Sequence, residues 1–224
     1  NSHVNLPDNL LGEAWYWAAW AAWVPLFARS LFRAPWSRLR DPQLLNVWLG
    51  MVVLLVLVWS LKAGVKPGLE LHLIGATVFT LSFGPHLAFV GLCIVLAAVM
   101  LNTGSDPFAF AANALMTAGV AVWLSERIFR FVERRLPRHF FVYIFANGFF
   151  GAALTVIGVG IAATGLLALD GAYSPDYLLA EYLPYFLLLG FSEAWLSGML
   201  MTLFVVYRPS WVATFDDATY LANK

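Results

Sequence analysis

The sequence predicts an all-α, polytopic membrane protein of about seven transmembrane helices, and three observations carry that prediction. First, 61% of the 224 residues are hydrophobic and only 12% are charged, with a mean hydropathy of +0.76. Soluble domains carry roughly 25% charged residues. Second, apolar runs near the ~20-residue length of a membrane span recur along the whole chain, separated by short polar turns. Third, the basic residues segregate. With the N terminus outside, Arg29, Arg33, Arg38, Arg40, Arg127, Arg130, Arg134, Arg135, Arg138, Arg208 and Lys224 fall inside, and only Lys62 and Lys66 fall outside. Eleven against two is a strong positive-inside bias. The expected arrangement is therefore N terminus outside and C terminus inside, in an inner (plasma) membrane.

The elements follow in order. Glu13–Ser30 is rich in tryptophan (Trp15, Trp17, Trp20, Trp23), in part an interfacial belt. Ala14, Ala18 and Ala22 recur there at four-residue spacing, so one face of this helix permits close contact with another helix of the chain or with another subunit. Leu44–Leu61 is an apolar run without a charge. Leu71–Phe83 and His86–Leu101 are short and are parted only by Gly84-Pro85. That pair breaks a helix, because proline lacks a backbone N–H and glycine tolerates unusual dihedrals. Pro107–Ser125 comes next, with Ser125-Glu126-Arg127 expected to cap it at the interface. His139–Leu169 and Tyr177–Tyr207 are long enough to tilt, with Gly148, Gly151, Gly158, Gly160 and Pro184 as points of close packing or bending.

These features bound the function. Residues 1–224 read as a single integral membrane domain, with 1–12 as an extracellular segment and no soluble domain, linker or repeat. No secretory signal of the usual form precedes the first helix, so insertion rests on that helix. Thirteen basic and thirteen acidic residues cancel, and no basic run of the kind that nucleic-acid binding needs is present. The bilayer is a partner; nucleic acid is not. Cys93, the single cysteine, lies in an apolar run and reads as a small buried hydrophobe. The chain has no HExxH, Walker A or G-x-S-x-G motif, so it is not expected to be an enzyme or to hydrolyse ATP.

Metal chemistry is the positive signal. With Asn1 as a free terminus, Asn1-Ser2-His3 offers an amine, two amide nitrogens and an imidazole that close a square plane, suited to Cu(II) or Ni(II). The same three residues could equally be an ordinary start or a cloning scar. His72 sits where a Pro-Gly loop meets the third helix, on the outer side with the N terminus, and reads either as a ligand or as a headgroup-level histidine. His86 and His139 fall inside; the 14 residues between His72 and His86 match a haem-ligand spacing, but Gly84-Pro85 interrupts the helix. Glu193, inside a span, is a functional candidate by default, with a structural hydrogen-bonding role as the alternative. An intramembrane enzyme pairing Glu193 with a histidine is disfavoured, because His72 and Glu193 are expected at different depths.

Four stretches resemble the CbiM/NikM family, the substrate-binding membrane components of energy-coupling factor transporters for cobalt and nickel. Leu6-Pro7-Asp8-Asn9-Leu10-Leu11 resembles the opening motif. Pro67-Gly68-Leu69-Glu70-Leu71-His72-Leu73-Ile74-Gly75-Ala76 resembles the P-G…H-L-(L/I)-G-A motif, with Gly84-Pro85 downstream. Ala111-Ala112-Asn113-Ala114 resembles the G-A-N segment, and Ser192-Glu193-Ala194 with Tyr207-Arg208-Pro209 the closing motif. The resemblance implies uptake of Ni2+ or Co2+, with Cu2+ suited to the same geometry. It implies a site built from His72 and a tucked-in N terminus, where the Asn1-Ser2-His3 chelate would stand in with His3 two residues upstream of the family's histidine position, and ABC-type partners: a coupling membrane subunit, to which Ala14, Ala18 and Ala22 would dock, and ATPase subunits. The chain departs from the pattern at three places. Asn5 stands at the family's near-terminal histidine, Asn9 at a glycine, and His86 after the Gly-Pro pair. A copper-binding divergent member, or an accessory subunit that keeps the fold without transport, are the alternatives these departures raise.

Overall fold

A computed structural model describes residues 13–61, 75–103, 107–170, 176, 180 and 183–215. Every regular element among them is helical. The order is α1 (Glu13–Arg33), a 3₁₀ turn (Trp36–Arg40), α2 (Pro42–Leu61), α3 (Ala76–Phe83) and α4 (Pro85–Thr103), followed by α5 (Phe110–Ala114) and α6 (Val120–Arg135). Then come α7 (Phe140–Val142), α8 (Gly151–Asp170), α9 (Leu183–Tyr207) and a closing 3₁₀ turn (Pro209–Trp211). Leu115–Gly119 joins α5 to α6 in π geometry, and Tyr143–Phe150 joins α7 to α8 likewise. Each of these junctions therefore makes one longer rod.

Three helical stretches are long and apolar enough to cross a membrane: Pro85–Asn102, Phe140–Gly165 and Gly190–Tyr207. Pro42–Val58 is a shorter apolar helix. The all-helical, polytopic class expected from the sequence holds. One boundary in particular differs from expectation. Ser125-Glu126-Arg127 does not cap a helix; α6 runs on to Arg135, because Ser125 is buried and Glu126 pairs with Arg130 one turn along (2.7 Å). Pro25 lies inside α1 without ending it.

The core explains the short α3. All eight of its residues are buried, and Phe79 packs against Trp48 and Phe83. Gly84 ends it with φ +83°, and its N–H reaches the Thr80 carbonyl. The break predicted at Gly84-Pro85 is thus a sharp turn between two buried helices. Along the spans Thr80, Thr117, Thr155, Thr164 and Thr202 each donate to the carbonyl four residues back, at 2.6–2.8 Å. This satisfies their hydroxyls without help from water, which a bilayer cannot supply. On the other side of the core, α9 packs most extensively on α8, and Gly198 lets it approach the Phe149 ring.

A second set of bonds fastens the far end of α3. Arg38, in the first 3₁₀ turn, donates to the carbonyls of Ser82, Ser210 and Trp211 (3.2, 3.3 and 2.9 Å), with its guanidinium over the Phe83 ring. Burial pulls its pKa below the usual arginine value. The residues after α9 lie alongside: Ala213 N–H donates to Ser82 O, and Thr214 binds Leu81 O and the Tyr143 hydroxyl.

Candidate metal-binding site

The residues expected to hold metal are Asn1, Ser2, His3 and His72, and all four lie outside the described residues. Asn5, Asn9 and the segment Pro67–Ile74 lie outside them too. Among the described residues, no group of three or more His, Cys, Asp or Glu side chains is arranged to hold a metal ion. What the structure does show is an anchor for Gly75, the residue before α3 and three after His72 in sequence.

That anchor is Glu193. A carboxylate in the middle of a span is costly unless it is hydrogen-bonded. Glu193 is 1% exposed, and its Oε1 accepts from the Gly75 N–H and from the Ser197 hydroxyl, both at 3.0 Å. Ser197 lies one turn along the same helix, the spacing at which helical side chains meet. Gly75 is the residue before α3, and its φ of +92° is a left-handed conformation that favours glycine. A methyl group there would also meet Leu55 Cδ2 at 2.5 Å. A helix start leaves its first N–H groups without intrahelical acceptors, and the N-cap of α3, Gly75, has no side chain of its own to accept from them. Glu193, 118 residues away in sequence, supplies one such acceptor.

This bond joins the two stretches that resemble the family most specifically, the P-G…H-L-I-G run and the Ser192-Glu193-Ala194 triplet. The expectation that His72 and Glu193 lie at different depths falls on His72, which lies outside the described residues. The structural reading of Glu193 as a hydrogen-bonded carboxylate is the one the geometry supports. Sequence reading alone did not identify Gly75 and Ser197 as its partners. The signal was nevertheless present, since both ends of the bond fall in family-like motifs.

The remaining candidates are accounted for. His86, at the start of α4, lies 3.4 Å from the Ser30 hydroxyl, and His139 accepts from Phe141 N–H at the start of α7. Cys93 is buried, as a small hydrophobe would be. Asn113 is fully buried in α5. Ala14, Ala18 and Ala22 are all exposed, so this face of α1 packs against nothing in the described chain.

Comparison with known proteins fits this geometry. Neither curated proteins nor solved structures return a match. A family model, described as the cobalt uptake substrate-specific transmembrane region, matches residues 5–211 and so takes in both ends of the Glu193–Gly75 bond. The chain belongs to this family of cobalt-uptake membrane components, a family of transporter parts rather than enzymes.

Proposed function

We propose that this chain is the substrate-binding membrane subunit of an energy-coupling factor importer, taking up Ni2+ or Co2+ from the outer face. The metal is cargo, held by His72 together with the N-terminal segment Asn1-Ser2-His3. The observation that carries the reading is the buried bond to Glu193 from Gly75, which follows His72 by three residues in sequence. Imidazole and amide nitrogens suit Ni2+ and Co2+, and a site closed by a terminal amine favours square-planar metals, Cu2+ included.

Delivery inward requires energy this chain does not generate, so a coupling membrane subunit and ATPase subunits complete the importer. The exposed small-residue face of α1, at Ala14, Ala18 and Ala22, supports docking to that coupling subunit. The basic ends of α1 and α6 support an orientation with these ends at the cytoplasmic face of the plasma membrane. Asn5, in place of the family's histidine, favours a second reading: an accessory subunit that keeps the fold without the metal.

Metal analysis of the purified full chain, with intact mass to fix its first residue, separates the two. One equivalent of Ni or Co in the wild type, lost in His72→Ala and reduced in His3→Ala, supports the importer. A metal-free wild type that copurifies with a stoichiometric partner supports the accessory subunit. Metal retained in full by both variants refutes the ligand set.

A further inference from the structure

The end of α6 is amphipathic and basic, and the transport reading, on whose orientation this inference rests, uses that charge for topology alone. Three adjoining cavities meet there, and Arg127 lines all of them. The middle one, of about 340 Å³, is lined by Arg127, Arg130, Phe131, Arg134 and Arg135. On one side a cavity of about 520 Å³ runs between α6, α4 and α1, with apolar walls that include Leu26, Phe89, Leu115, Val122 and Trp123. On the other, a groove of about 360 Å³ runs between α6 and the Tyr143–Asp170 rod, walled by Ile128, Val132, Ala146, Phe150 and Leu154.

The charges in the middle cavity are only partly balanced. Arg130 pairs with Glu126 at 2.7 Å, and Glu133 is taken by Arg138 at 3.6 Å. Arg127 lies over the Trp123 ring at 5.4 Å, and Arg134 and Arg135 are in no ion pair among the described residues. Arg127, Arg130 and Arg134 are three and four residues apart, a spacing that puts them on one side of the helix. Arginine forks converging in a recess match the oxygens of a phosphate diester. An apolar channel on either flank of that recess matches two hydrocarbon chains. A docked helix would present one continuous ridge and would not fill two channels that diverge around α6.

We propose that this end of α6 is a binding site for one anionic diacyl phospholipid, with its phosphate in the arginine cavity and an acyl chain in each flanking groove. Basic recesses between membrane helices at the cytoplasmic leaflet favour such headgroups.

The test uses the full chain in detergent and in nanodiscs, probed by native mass spectrometry with phosphatidylglycerol, phosphatidylethanolamine and glycerol 3-phosphate. The wild type is expected to keep one phosphatidylglycerol in preference to phosphatidylethanolamine. Each arginine near the surface is worth roughly a fivefold preference. Combining Arg127→Gln, Arg134→Gln and Arg135→Gln, all at exposed positions, should therefore lower retention by at least about tenfold while leaving the melting temperature near the wild-type value. Ala146→Trp, which fills the third groove, should weaken retention with every arginine in place. Equal retention of both lipids, or unchanged retention in the arginine variant, overturns the proposal. So does glycerol 3-phosphate displacing the lipid at equal concentration, because the grooves would then contribute nothing. Protection of the arginines by a copurified protein, with no bound lipid, overturns it as well.

Discussion

Replacing Glu193 by alanine removes the acceptor for two buried donors, the Gly75 N–H and the Ser197 hydroxyl. The hydroxyl has an alternative, since a helical serine can rotate to the carbonyl one turn back. The Gly75 N–H is held in a left-handed backbone against Leu55 and has no such freedom. The cost therefore falls on the start of α3. An unsatisfied buried donor costs about 1–3 kcal/mol. If Glu193 holds the His72 segment in its metal-binding position, the same free energy appears in metal affinity, as roughly a 5- to 150-fold loss at 1.4 kcal/mol per factor of ten. Glu193→Gln keeps a carbonyl acceptor and should lose much less. The assay is Ni2+ and Co2+ titration of the purified full chain, with melting temperatures measured in the presence and absence of metal. Affinity in Glu193→Ala within about twofold of the wild type would refute the anchoring argument even where the wild type binds metal. A wild type that binds none would instead remove the metal reading on which it rests.

Four further substitutions separate the forces in the fold. Gly75→Ala combines a left-handed backbone penalty of about 1–2 kcal/mol with a clash at Leu55, and Gly84→Ala meets open space but forces an alanine into a φ +83°, ψ 170° conformation open essentially to glycine, at about 1–3 kcal/mol; both variants should melt below the wild type. Arg38→Ala removes donors from Ser210 and Trp211 while Ser82 O keeps its bond from Ala213, so a loss of about 1.5–3 kcal/mol is expected, visible as faster proteolysis after residue 207 in detergent. Gly198→Ala drives a methyl into the Phe149 ring at 2.3–2.4 Å and should cost about 1–3 kcal/mol by denaturant or thermal unfolding; an unchanged midpoint would mean that α9 and the Phe149 turn do not pack as described.

Much of the fold was legible because hydropathy and breakers act locally. The Gly84-Pro85 turn and the long rods at Phe140–Asp170 and Leu183–Tyr207 follow from the composition of single segments. The continuation of α6 past Ser125 was misread, because Glu126 and Arg127 look like an end on their own, and only the pair with Arg130 and the burial of Ser125 extend the helix. At the candidate site, Glu193 stood out as a charge in a span, but its partner did not. A bond between residues 118 apart depends on how the bundle closes, and no local pattern encodes it. The exposed alanine face of α1 is visible as a spacing, whereas its lack of a partner among the described residues emerges only from the packing.

The Arg38 clasp has a consequence for assembly. It ties a turn made early in the chain to carbonyls 172 and 173 residues later, and the same late segment supplies the Thr214 and Ala213 bonds to the end of α3. During synthesis, α1 through α4 enter the bilayer long before those acceptors exist. The bundle is therefore finished from its C-terminal end, by contacts of the longest sequence separation in the clasp, which are the slowest kind to form. Until residue 214 has emerged, the C-terminal end of α3 lacks part of its fastening, and a chain truncated after α9 would remain in that unlatched state.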